Sequence, residues 1–172
     1  MKRLIESDIY IDVPDQVSVT KFDDASHHFL INQMQAVDFI IETNSHFLFV
    51  EIKDPDHPDA DNTRKENFIR KLKSGEIDKS LYTKYRDTWL YRHMNSEPFK
   101  PIKYLVLIAC ASLSSAELMA RQDALQKKIP VMKDKGERWS KFIDSCTVLN
   151  LTSWNAALSQ LSAGRLSSVA PP

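Results

Sequence analysis

Two short segments of the chain are dense in valine, isoleucine and phenylalanine, at residues 36–42 and 46–53. Enrichment in β-branched and aromatic residues predicts strands. Asn44 and Ser45 lie between these segments as a short turn, so the pattern predicts a β-hairpin. Residues 17–22 and 28–32 are also rich in β-formers, and we expect them to form one strand or two.

Helical patterns follow the predicted hairpin. Thr63 and Glu66 match a capping box, which predicts a helix from there to about residue 74. Gly75 is a natural end for that helix. Residues 77–94 repeat apolar side chains at helical spacing and predict a second helix.

The remainder of the chain alternates between strand and helix patterns. Residues 102–110 form a near-continuous apolar run, which is typical of a strand buried on both faces. Ser114 and Glu117 match a second capping box, for a helix to about residue 128. Residues 146–151 are predicted as the last strand, and Thr152 or Ser153 as the cap of a final short helix.

This order of elements predicts an α/β protein with a mixed β-sheet flanked by helices on both faces. The length of 172 residues fits one domain, which we place at residues 1–161. Residues 162–172 are small and weakly hydrophobic, and they are expected to form a flexible C-terminal tail.

Composition narrows the class of protein. No apolar run approaches the roughly 20 residues of a membrane span, so we expect no membrane partner. The N-terminus includes acidic residues where a secretory signal would be apolar, and Cys110 and Cys146 lie in apolar stretches. These features predict a cytoplasmic protein with reduced, buried cysteines.

The formal net charge of zero conceals an uneven distribution. Residues 1–63 carry 4 basic and 13 acidic side chains, whereas residues 64–103 carry 11 basic and 5 acidic ones. An acidic first third followed by a basic middle fits a metal site beside an anion-binding surface. Solvated faces that neutralise each other in the folded protein would account for it equally well.

Three charged residues lie inside the two most strand-like segments: Asp38, Glu51 and Lys53. Charges seldom enter buried strands unless they are paired or bound to a metal. If Asn44 and Ser45 form a two-residue turn, Asp38 faces Glu51 across the hairpin, with Cβ atoms about 5 Å apart. Lys53 then projects from the same face as Glu51.

Two facing carboxylates repel each other in apolar surroundings, and a divalent cation between them would reverse that interaction. Asp and Glu oxygens are the ligands that Mg²⁺ or Mn²⁺ prefers. A lysine beside the metal could orient or deprotonate a water, or stabilise charge on a phosphate. A Glu51–Lys53 pair that simply neutralises Asp38 is the alternative interpretation.

Asp38 followed after twelve residues by Glu51-Ile52-Lys53 on adjacent strands resembles the PD-(D/E)xK nuclease superfamily, whose fold is restriction-endonuclease-like. The resemblance covers residues 36–110, and Val37 stands where the named motif has proline. It implies that Asp38 and Glu51 hold Mg²⁺ together with the Ile52 carbonyl, and that Lys53 is the catalytic lysine.

The resemblance also implies nucleic acid as partner, with DNA favoured. The basic residues Lys79, Lys84 and Arg86 are candidates to bind its backbone. Lys84 flanks an apolar helical stripe and is expected either to reach a phosphate or to extend along the apolar surface with its ammonium in solvent. A homodimer or a larger defence or repair complex is the expected assembly, because many such nucleases work in that way.

Many superfamily members add an acidic residue from an N-terminal helix. Here no such helix is predicted, and Glu6, Asp8, Asp23 and Asp24 are weak candidates for the extra acid. The leading hypothesis is Mg²⁺-dependent hydrolysis of phosphodiester bonds. The rival is a non-enzymatic binding or assembly module that keeps the fold with a degenerate site. A two-carboxylate glycosidase is a weaker third hypothesis, because Lys53 would then have no role.

Overall fold

A computed structural model describes residues 1–24, 34–95, 100–129 and 143–169 of the protein. The predicted strand at 28–32 lies outside these ranges. The described residues form eight strands: β1 (Lys2–Glu6), β2 (Ile9–Val13), β3 (Ser18–Lys21), β4 (Phe39–Glu42), β5 (Phe47–Lys53), β6 (Ile102–Ile108), β7 (Ile143–Leu149) and β8 (Ala163–Arg165). They also form four α-helices: α1 (Asn62–Ser74), α2 (Glu76–Met94), α3 (Ser115–Lys128) and α4 (Leu151–Ala157). The chain is thus a mixed α/β protein.

Five of the strands form a mixed central sheet in the order β3-β4-β5-β6-β7. Strands β3, β4 and β5 are antiparallel, whereas β5, β6 and β7 run parallel to one another. Parallel neighbours need a crossover, which α1 and α2 supply between β5 and β6. The carboxyl ends of β5, β6 and β7 therefore share one edge of the sheet with the start of β4.

The predicted hairpin register is confirmed. Ile40 pairs with Phe49 and Glu42 with Phe47 across β4 and β5. This pairing places the turn at residues 43–46, where the side chain of Thr43 accepts from the backbone N–H of His46 at 2.9 Å. Extended one step beyond β4, the same register sets Asp38 opposite Glu51.

One face of the central sheet carries α1, α2 and α3. Leu72 of α1, Leu81 and Tyr85 of α2, and Leu125 of α3 pack in one core with side chains such as Phe49. Residues alternate between faces along a strand, so Glu51 and Lys53 project to the same side as Phe49. The helices α1 and α2 consequently lie over the side of the sheet that carries the charges.

The other face carries one helix, α4, in agreement with the prediction of helices on both faces, and also a small sheet that was not predicted. A small antiparallel sheet in the order β1-β2-β8 packs Ile9, Ile11 and Val13 against this face, and α4 adds Trp154. No strand was predicted before residue 17. The turn between β1 and β2 is Ser7-Asp8, with Ser7 at φ 59°. It lacks the glycine that usually marks such turns in a sequence.

The predicted flexible tail contains β8, which pairs with β2 from Ala163 to Arg165. The Arg165 guanidinium donates to Asp8 at 3.1 Å and to Asp54 at 2.8 Å, and these bonds hold the segment in place. Cys110 and Cys146 are both buried and free, as predicted. Within the described ranges, none of the helices has the length and apolar character to cross a membrane.

Helix ends also differ in part from the predictions. Asp61, not Thr63, caps α1, because its carboxylate accepts from Arg64 N–H at 2.7 Å. Asn150, not Thr152 or Ser153, caps α4. The capping box of Ser114 and Glu117 is present at α3 as predicted.

Candidate functional site

The three charged residues of the predicted motif meet at the edge of the sheet where β5 ends. Asp38 immediately precedes β4, and Glu51 and Lys53 close β5. Asp38 is 4% exposed and Glu51 is 0% exposed. Two carboxylates are therefore held inside the protein, on the side of the sheet covered by helices.

Asp38 is fixed by a backbone donor from the neighbouring strand. Its Oδ2 accepts from the Ile52 N–H at 2.6 Å, a bond that continues the β4–β5 ladder through a side chain. The N–H and C=O of one strand residue point to the same neighbouring strand, so the Ile52 carbonyl points toward β4 as well. The side chain of Asp38 and the backbone of Ile52 are therefore adjacent across the two strands.

Glu51 has one satisfied and one unsatisfied oxygen. Its Oε1 accepts from Lys53 Nζ at 2.6 Å and lies 2.7 Å from Lys84 Nζ. Its Oε2 is buried with no hydrogen-bond partner in the described part of the chain. Burial and then the charge on Asp38 raise the pKa of Glu51 to about 7, against the lowering effect of the two lysines.

Lys84 belongs to this site, and of its two expected placements the one with the ammonium in solvent is wrong. Its Nζ is 3.1 Å from Asp38 Oδ1 as well as 2.7 Å from Glu51, and the side chain is 19% exposed. Although burial opposes its charged form, the charges of Glu51 and Asp38 raise the pKa of Lys84 above its ordinary value. Its position on α2, over the end of β5, brings the ammonium between the two carboxylates.

Two polar residues of α2 anchor the chain that leads into Asp38. The Thr88 hydroxyl accepts from Val37 N–H at 3.0 Å, and the Asp87 carboxylate accepts from Gln35 N–H at 3.0 Å. Both Thr88 and Asp87 are buried. A proline at position 37 could not donate this bond, which gives Val37 a structural role. Sequence reasoning missed both anchors, although polar residues within an otherwise apolar helical face are a detectable signal.

The candidate extra acids lie at different distances from the site. Asp23 is half-buried and lies close enough to the site that, after burial itself, the charge on Asp38 raises its pKa, and its Oδ1 has no partner within the described ranges. Glu6 pairs with Lys21 at 3.1 Å, and Asp8 binds Arg165 and Ser167 at the small sheet. Among the described residues, no three His, Cys, Asp or Glu side chains are grouped closely enough to hold one metal ion.

The other predicted nucleic-acid contacts lie outside the carboxylate cluster. Lys79 is exposed on α2 and lines an open groove that also contains Lys53. The Arg86 guanidinium donates to Asp87 and lies over the Tyr82 ring. Arg86 follows Lys84 by two residues, so it projects from a different face of α2.

The donor set of the site fits a hard divalent cation. Asp38, Glu51 and the Ile52 carbonyl supply only oxygen atoms, and the unpartnered Oε2 of Glu51 is a buried acceptor that a cation would satisfy. Two protein carboxylates with several waters are a common ligand set for Mg²⁺. The ammonium of Lys84, which now neutralises both carboxylates, would have to share them with the cation.

No match to this chain was found among protein-family models, curated proteins or solved structures. The interpretation of the site therefore depends on the residues and geometry of this chain.

Proposed function

We propose that the protein is a Mg²⁺-dependent nuclease that hydrolyses phosphodiester bonds of nucleic acid, with DNA favoured and Mn²⁺ able to substitute. The observation that carries this proposal is the pair of buried carboxylates, Asp38 and Glu51, set opposite each other with two lysines and an unpartnered oxygen. Burying two like charges together is costly, and a cation-dependent reaction is a reason to retain them.

Each residue has a distinct task in this proposal. Asp38, Glu51 and the Ile52 carbonyl would hold the metal ion, which when bound polarises the phosphate and a water molecule. Lys53 donates one of its three N–H groups to Glu51 at 2.6 Å, and the other two remain to orient the attacking water or to stabilise negative charge on the phosphate. In the reaction a water oxygen bonds to phosphorus, the bond to the leaving oxygen breaks, and a water proton ends on that oxygen.

A plasmid nicking assay with Mg²⁺ or Mn²⁺ tests the proposal. We expect Lys53→Ala to reduce nicking at least 100-fold, which is a typical loss for a residue that stabilises charge in the transition state. Lys73→Ala is the matched control, because Lys73 is an exposed lysine of α1 outside the site. Undiminished nicking by Lys53→Ala would refute the assignment.

The non-enzymatic alternative has its own supporting observation. The Lys84 ammonium already bridges Asp38 and Glu51, so the four charged groups are balanced without a metal. A binding or assembly module with a degenerate site would retain such an internal ion cluster. Titration calorimetry with Mg²⁺ and Mn²⁺ distinguishes the two proposals, since metal binding that Asp38→Asn abolishes favours the nuclease, and its absence favours the module.

A further inference from the structure

An open groove lies between α1 and α2 and reaches the candidate site at Lys53. Its cavity volume is about 880 Å³, and Arg64 and Lys71 of α1 line it together with Lys79 of α2. Lys53 is the one residue of the proposed catalytic set that this groove shares. A ligand bound along the groove would therefore have one end at the catalytic lysine.

The groove has an excess of available positive charge. Four cationic side chains line it against two carboxylates, Asp61 and Glu76. Asp61 is engaged as the cap of α1, and Glu76 lies 3.3 Å from Lys71. The side chains of Arg64 and Lys79 are exposed, and neither forms a hydrogen bond or ion pair within the described residues. These two cations are thus available for an anionic ligand.

The lining of the groove fits a nucleic-acid strand with unpaired bases. Phe68 of α1 is half-buried in the wall and offers an aromatic surface. Grooves that bind single strands combine cations for the phosphates with aromatic rings on which bases stack.

We propose that the groove between α1 and α2 binds single-stranded nucleic acid, with phosphates at Arg64 and Lys79 and a base against Phe68. Only the cleavage of the bound strand rests on the proposed nuclease function, since the scissile phosphate would then lie at Lys53. Binding itself requires neither metal nor cleavage. The strand end that enters the groove would accordingly be unpaired.

Fluorescence anisotropy in EDTA tests this assignment on the full chain. The probe is a fluorescein-labelled oligothymidine of about 12 nucleotides, compared with a duplex of equal length. We expect the single strand to bind more tightly than the duplex. Arg64→Glu and Lys79→Glu should each weaken strand binding at least fivefold, and each should reduce the slope of log K against log salt by about 0.7. Lys73→Glu is the matched control and should change the affinity less than twofold, because Lys73 is exposed on α1 but does not line the groove.

Equal weakening by Lys73→Glu and Lys79→Glu, no weakening by Lys79→Glu, or tighter binding of the duplex would each overturn the groove assignment. These outcomes are separable from failure of the nuclease proposal. A protein that binds single strands through Lys79 but does not nick DNA keeps the groove and loses the nuclease. A protein that nicks plasmid but shows no Lys79-dependent strand binding keeps the nuclease and loses the groove.

Discussion

Lys84 Nζ lies 2.7 Å from Glu51 Oε1, so an ammonium carried by α2 neutralises a carboxylate that is 0% exposed at the end of β5. Removing one member of a buried ion pair leaves the other charge uncompensated, which is more costly than the net value of the pair. The stability of the metal-free protein therefore depends on a residue of the crossover helices, outside the three-residue motif.

Lys84→Met should destabilise the metal-free protein by about 3 kcal/mol, because Asp38 would lose its ammonium partner and Glu51 would keep only Lys53. Urea unfolding in EDTA measures this loss, and Lys79→Met serves as control on the exposed face of the same helix. Addition of Mg²⁺ should restore more stability to Lys84→Met than it adds to the native protein. A loss below 1 kcal/mol in EDTA would contradict the bridging role.

Stability should fall as the pH rises from 5 to 8, because the pKa of Glu51 is raised to about 7 in the folded protein. The folded state keeps a proton that the unfolded chain has released, so this contribution is full below pH 4.5 and is lost as the pH passes 7. The expected loss over this range is about 2 kcal/mol.

Urea unfolding at pH 5 and pH 8 in EDTA gives this difference, and Glu51→Gln provides the comparison. The amide cannot titrate, so the variant should show a smaller pH dependence whatever its absolute stability. An identical pH dependence in both proteins would show that the raised pKa belongs to another group.

Thr88→Val should cost about 1–2 kcal/mol, because the Val37 N–H would lose its buried acceptor. The substitution keeps the side-chain shape and removes the hydroxyl that holds the approach to Asp38. Thr83→Val is a suitable control, since Thr83 lies on the same helix and makes no hydrogen bond through its side chain in the described part of the chain. Equal free energies of unfolding for the two variants would argue against the anchoring role.

Gly75→Ala should destabilise the protein by about 1 kcal/mol, because Gly75 has φ +78°, a left-handed conformation that is unfavourable for alanine. A Cβ there would meet Asp78 and Arg121 at 3.5 and 3.7 Å, which is ordinary contact, so the cost is one of backbone strain. Thermal unfolding of Gly75→Ala beside Ser74→Ala measures it. A change in Ser74→Ala as large as that in Gly75→Ala would exclude backbone strain as the cause.

The hairpin and its charged positions could be predicted because two local signals coincide there. The apolar runs define the strands, and the two-residue turn at Asn44 and Ser45 defines the register, so the facing of Asp38 and Glu51 follows by counting. The capping box of Ser114 and Glu117 could also be predicted, because its two residues are only three positions apart. Features set by neighbouring residues were therefore accessible from the sequence.

Features set by distant contacts were not accessible. Lys84 is separated from Asp38 by 46 residues, and nothing near it in the sequence distinguishes it from a surface lysine on an amphipathic helix. The pairing of β8 with β2 joins residues more than 150 positions apart. Asp61 and Asn150 are the helix caps because the side chain of each accepts from a backbone N–H three residues later. Several residues near each helix start are suitable caps, and only the folded geometry decides which of them forms this bond.

The pairing of β8 with β2 also has a consequence for the order of synthesis. The hairpin of β1 and β2 leaves the ribosome before β8, its neighbour in the small sheet, which is complete only when residue 165 has been added. Until then, the chain lacks the Arg165 bonds to Asp8 and Asp54 that join the small sheet to the central one. A chain stalled before Ala163 would therefore leave the apolar side of β2 poorly held against the central sheet, as a target for chaperones and proteases.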